Sequence, residues 1–148
     1  MRIRIICIGN RFHQRDSGGP RVYDILSTLQ LPAGVELFDG GLSGLNLLGL
    51  LEDVDYVIFV DSVEDFLPDT GVVVVKNPVD ELEYQEFHDY TSGLAYLLRS
   101  APYALDSPMP RVYLVGLEGA VESGLCQEAA GRCLQLIEEL RSLPAIAS

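Results

Sequence analysis

Three side chains able to bind a metal are spread along the sequence: Asp16, Asp61 and His88. Each follows an apolar run of strand-like composition. Asp16 lies in the glycine-punctuated turn after residues 2–9, Asp61 ends the run 55–60, and His88 follows the run 71–75 and a short acidic connection. Two carboxylates and one imidazole form a borderline ligand set for a divalent metal, with coordination positions left open for a substrate. In an α/β sheet of parallel strands, the three positions converge at the carboxyl edge, where such folds place their sites.

The elements that must hold these residues show in the hydrophobic periods. Residues 2–8 (RIRIICI) are rich in β-branched side chains and stop at Gly9-Asn10. Gly18-Gly19-Pro20 opens a helix, since proline is tolerated in a first turn. Val22, Ile25, Leu26 and Leu29 then recur at helical spacing, and Leu31-Pro32-Ala33-Gly34 ends the element. Residues 35–38 read as a short strand stopped by Asp39-Gly40-Gly41. Ser43 is placed to cap a helix containing Leu45, Leu47, Leu48, Leu50 and Leu51.

The second half continues the alternation. Residues 56–60 (YVIFV) are continuously apolar, as in a strand buried on both faces, and 72–75 is a similar run. The acidic stretch 80–86 leads into a helix carrying Leu94, Leu97 and Leu98. Residues 101–110 hold three prolines and read as a loop, and 111–116 as a strand. Residues 124–143 form an amphipathic helix with Ala129, Ala130, Cys133, Leu134, Ile137 and Leu140 on one side. The order βαβαββαβα predicts an α/β fold, a mostly parallel sheet with helices on both faces, with room for one antiparallel strand near Val72.

With 148 residues, the chain fits one domain spanning 1–148. Its net charge of −12 argues against non-specific binding to nucleic acid or an anionic membrane surface, which needs basic patches. No stretch approaches the ~18 apolar residues of a membrane span, and residues 1–9 lack the pattern of a cleaved leader. A cytoplasmic setting is expected. Three cysteines, an odd count without a CxxC, argue against a disulfide framework or zinc ribbon. Cys7 is expected in the core, and Cys126 and Cys133, seven apart, on the apolar side of the last helix.

These motifs, taken in order, resemble the nickel–iron hydrogenase maturation endopeptidases. The resemblance rests on Ile8-Gly9-Asn10, an acid six positions after Asn10 followed by glycines, FDGGLSGLNLLGLLE (38–52), VDYVIFVDSV (54–63), His88 and VYLVGLE (112–118). It implies a twisted five-stranded sheet in a three-layer sandwich. It also implies removal of a C-terminal extension from a hydrogenase large-subunit precursor after the nickel–iron centre is assembled. Nickel would be supplied by the substrate, with no organic cofactor. Matched residue by residue, the two acids and the histidine that sense it fall on Asp16, Asp61 and His88, serving both as ligands and as the catalytic set. Asp39, Gly40 and Gly41 would contact the precursor. Arg15 departs from the pattern, standing in the first of two acidic places.

His13, in the same turn as Asp16, reads as a loop residue, and Glu118 as a weak supporting carboxylate. Asp16 before Ser-Gly-Gly and Asp61 at a strand end could each simply cap a turn. A small-molecule-binding α/β module would hold phosphate at the Gly18-Gly19 turn, but no G-x-G-x-x-G or G-x-x-x-x-G-K-[ST] occurs. A metal-sensing adaptor that recognises the precursor without cutting it is the other alternative. A monomer that pairs transiently with the precursor is expected.

Overall fold

The computed structural model describes residues 1–42, 44–84 and 92–144. His88 and Ser43 therefore lie outside the described residues. Five strands form one sheet: β1 (Ile3–Ile8), β2 (Val35–Gly41), β3 (Tyr56–Val63), β4 (Gly71–Lys76) and β5 (Arg111–Glu118). The spatial order is β2-β1-β3-β5-β4, with β1, β2, β3 and β5 parallel and β4 antiparallel to β5. The helices are α1 (Gly18–Leu26), α2 (Val79–Tyr84), α3 (Ser92–Ala104) and α4 (Ser123–Arg141). The expected α/β architecture, including the antiparallel strand at Val72, is present.

Alternation along the strands builds two cores. Ile3, Ile5, Cys7, Tyr56, Ile58 and Val60 face α1 and α4. Ile6, Ile8, Val57, Phe59 and Leu114 face α3 and the segment Leu45–Leu51. Every residue of β3 is buried, which explains why its sequence shows no polar alternation. Cys7, Cys126 and Cys133 are all buried, as their spacing indicated.

Several element boundaries differ from the sequence reading. Helix α1 ends at Leu26, not near Leu31. There the Ser27 and Thr28 hydroxyls donate to the Asp24 and Ile25 carbonyls, satisfying groups that another helical turn would have used. Leu29 is consequently outside the helix and exposed. Leu45–Leu51 is a 3₁₀ helix rather than an α-helix. It is seven residues long, contains Gly49 and begins after Gly44, so little favours regular α geometry.

Two further corrections concern α2 and α3. Residues 79–84 of the acidic stretch form a helix of their own, with Asp80 and Glu81 in the first turn, where the helix dipole favours negative charge. Helix α3 runs to Ala104 with Pro102 inside it, through a region read as loop. Proline in a last turn removes only one helical hydrogen bond. Burial of Ala101 and the bond from Leu105 N–H to the Ala101 carbonyl hold that turn.

Strand β2 extends past Phe38 to Gly41. Asp39 pairs with Cys7 and Gly41 with Ile8, leaving Gly40 in a bulge. A side chain at Gly40 would begin 2.9 Å from the Cγ2 atoms of both Ile6 and Ile8, so glycine is what lets the bulge lie on the sheet.

Candidate active site

Asp61 lies inside β3 rather than at its end. The strand continues to Val63, and Asp61 pairs with Gly116 of β5. It shares a face with Phe59 and Val63, is 1 % exposed, and neither carboxylate oxygen has a hydrogen-bond partner among the described residues. Burial first, and then the charge of Asp16, push its pKa well above the ordinary 3.8. The adjacent Ser62 N–H opposes this weakly but does not reach hydrogen-bond geometry.

Asp16 approaches from the β1–α1 turn. That turn folds back on itself: His13 N–H donates to the Asn10 carbonyl, and Asp16 N–H to the His13 carbonyl. The Asp16 carboxylate is fixed through Oδ2, which accepts the Asn10 N–H at 3.1 Å, while Oδ1 is buried without a partner. Desolvation raises the Asp16 pKa, against the Asn10 hydrogen bond and the nearby His13. The carboxylate does not cap α1, since the N-cap is Ser17 and no side chain caps it. The capping explanation of Asp16 therefore fails.

The two carboxylates are thus brought together at the carboxyl edge, where the sequence placed them. Three buried oxygens without partners, two from Asp61 and one from Asp16, form a cluster that is costly unless something neutralises it. A proton shared within the pair or a docked cation would both do so. Among the described residues no group of three His, Cys, Asp or Glu side chains is assembled for a metal. The two-carboxylate donor set nevertheless fits one side of such a site.

The remaining sequence candidates are placed differently. Asp39 and Gly41 line a shallow groove with Phe12, Pro20 and Leu42. The Asp39 carboxylate is engaged by Arg11 at 3.4 Å and by the Gly41 N–H, and Arg11 also pairs with Asp24. Gly40 faces the core beneath. Phe12 is 95 % and Leu42 65 % exposed, so apolar side chains project into solvent beside the acid pair. Glu118 does not support the pair. Its two oxygens accept the N–H groups of Asp65, Phe66 and Leu67 at 2.8–2.9 Å and fasten the β3–β4 connection.

Sequence reasoning missed Asn10 as the holder of Asp16, because the contact is made by its backbone. It also missed Ser62, which is 4 % exposed with an unpartnered Oγ. Gly18 is why that hydroxyl fits: a side chain there would begin 2.8 Å from Ser62 Oγ. Only the double glycine at the start of α1 hinted at such a close approach.

An acid pair with three buried oxygens thus lies at the carboxyl edge of a five-stranded α/β sheet. No family model matches the chain. A provisionally named hydrogenase maturation protease of Methanocaldococcus jannaschii is 30% identical over 147 residues, covering 92% of each chain. The hydrogenase 2 maturation protease of Escherichia coli is 28% identical over 120 residues, 79% of this chain and 73% of the relative. The maturating endopeptidase HybD from Escherichia coli shares the fold, with a TM-score of 0.81 at 24% identity over 95% of this chain and 94% of that one. A hydrogenase 2 maturation peptidase from a Thaumarchaeota archaeon is 28% identical over 97% of this chain and all of that one, with a TM-score of 0.62. The chain belongs to the hydrogenase maturation protease family. That membership carries a peptidase role.

Proposed function

We propose that this peptidase removes a C-terminal extension from the large-subunit precursor of a nickel–iron hydrogenase, once nickel has been inserted. The observation that carries the reading is the juxtaposition of Asp16 and Asp61, buried with three oxygens lacking partners. The exposed Phe12 and Leu42 beside them supply apolar surface suited to a protein substrate.

Nickel arrives in the precursor and is sensed by Asp16, Asp61 and His88. Substrate-borne nickel supplies the positive charge that the carboxylates lack and polarises groups bound to it. As the cation approaches, Asp61 gives up its proton, because an opposite charge reverses the penalty that burial and Asp16 impose. A site carboxylate then takes a proton from water, whose oxygen adds to the scissile carbonyl carbon. The C–N bond breaks as the proton passes to the leaving amine. Held in register by the docked metal, the scissile bond reacts at high effective concentration. The chain works without an organic cofactor in this scheme.

The test is mass spectrometry of a nickel-loaded large-subunit precursor from the same source, incubated with and without this protein. A product lacking a C-terminal peptide, and absent with nickel-free precursor, is expected. An assembled cognate precursor left intact would remove the peptidase assignment in favour of a non-cleaving adaptor.

A further inference from the structure

A cleft of about 350 Å³ adjoins the acid pair, walled by Arg15, Ser62, Glu64, Leu117, Glu118 and Gly119 among others. Each member of the pair has a chain neighbour in this wall: Arg15 immediately precedes Asp16, and Ser62 immediately follows Asp61. Arg15 itself lines this cleft, whereas neither Asp16 nor Asp61 does.

Arg15 is exposed, and its guanidinium has neither an ion pair nor a hydrogen bond among the described residues. The other arginines near this edge are committed, Arg11 to Asp24 and Asp39 and Arg21 to the Val121 carbonyl. Of the two carboxylates in the same wall, Glu118 is used up by three backbone N–H groups, and Glu64 is engaged as well. An unpaired cation therefore faces a cavity in a protein of net charge −12. Ser62 adds a hydroxyl without a partner to the same wall.

We propose that this cleft is a carboxylate-binding subsite, in which Arg15 takes an acidic side chain or the terminal carboxylate of the polypeptide substrate. The proposal rests on the protein acting on a protein partner. A guanidinium presents a planar fork that matches a carboxylate with two parallel hydrogen bonds. Because Arg15 immediately precedes Asp16 in the chain, a carboxylate held in this cleft anchors the substrate chain close to the acid pair. The subsite selects for an acidic substrate and repels a cationic one at that position.

Binding and cleavage of the nickel-loaded precursor from the same source are measured separately for wild type, R15K, R15A and R15E. Thermal melting first confirms that these surface variants fold. R15E is expected to bind at least about tenfold more weakly, with R15K intermediate. The rise is expected in KM, with kcat changed less than about twofold. Asp/Glu→Asn/Gln substitutions along the precursor tail identify a side-chain ligand, as one that weakens wild type but has no further effect in R15A. Extending the tail by two glycines does the same for the terminal carboxylate. Wild-type affinity in R15E, or a full set of tail changes with none coupled to Arg15, overturns the subsite. Wild-type protein that binds the precursor without cutting it overturns the peptidase reading alone, and the binding series still decides the subsite.

Discussion

Gly9 lies directly against the backbone of Asp16: a Cβ built on Gly9 would collide with the Asp16 carbonyl oxygen. Gly9 also has φ +143°, a conformation that side chains rarely adopt. Its N–H donates to the Gly41 carbonyl at 2.8 Å, tying the end of β1 to the end of β2. One glycine thus sets where the first acid sits. Gly9→Ala is expected to move Asp16 away from Asp61 and lower cleavage by about 10²-fold, the cost of misplacing a reacting group by about 1 Å. Circular dichroism should show a folded protein. Near-normal cleavage by a folded Gly9→Ala variant would show that the position of Asp16 does not matter.

Asp61→Asn separates stability from activity. In the unfolded chain Asp61 loses its proton near 3.8, whereas in the folded protein it holds the proton to a higher pH. Between those values the folded state binds more protons, so the contribution of Asp61 to stability falls as pH rises and levels off above the folded pKa. The Asn variant should match wild type at low pH and be more stable at pH 7, by at least about 1 kcal/mol. Cleavage should fall by about 10² or more, as for loss of an acid–base group. Chemical denaturation across pH checks the first part, and parallel stability curves would sink it.

The pH dependence of precursor binding follows from the same chemistry. Both Asp16 and Asp61 have raised pKa values, so the doubly ionised pair forms only above the ordinary carboxylate range. Affinity for nickel-loaded precursor is expected to weaken as pH falls through these raised pKa values, above the ordinary carboxylate range, while nickel-free precursor shows a shallower change. Titration calorimetry in two buffers of different ionisation heat should also detect proton release on binding. Binding without proton release at a pH below the raised pKa would contradict the coupling.

Glu118→Ala should loosen the connection after β3. Three N–H groups, from Asp65, Phe66 and Leu67, lose their acceptor together. The expected loss is about 1–3 kcal/mol, with faster amide exchange concentrated at residues 65–67. Unchanged exchange there would show that the loop is held by other contacts.

The cysteines should be inert in the native protein. Burial pushes the Cys133 thiol up to about 12, and burial, followed by Cys133, raises Cys7 well above its ordinary value. Cys126 is raised as well, again mainly by burial. Alkylation by iodoacetamide at neutral pH is expected only after denaturation, which intact mass measures directly.

The sequence made the sheet readable because burial leaves a strong mark. The uninterrupted YVIFV of β3 and the β-branched residues of β1 have no other comfortable place. The convergence of Asp16 with Asp61 followed from strand direction alone. What stayed hidden was set by backbone and tertiary contacts. Nothing in the letters shows that Asn10 holds Asp16 through a peptide N–H, or that Glu118 turns back onto residues 65–67. Pro102 misled for a related reason, since burial of Ala101 outweighs the local cost of proline.

The reversal of β4 has a consequence for how such a chain can diversify. Because β3 and β4 are separated in the sheet by β5, the connection between them must cross the end of β5. Glu118, the last residue of β5, clamps that crossing near its start. Residues beyond the clamp can lengthen, shorten or change charge without disturbing either core. New partner preferences can therefore evolve at this rim while the acid pair below stays fixed.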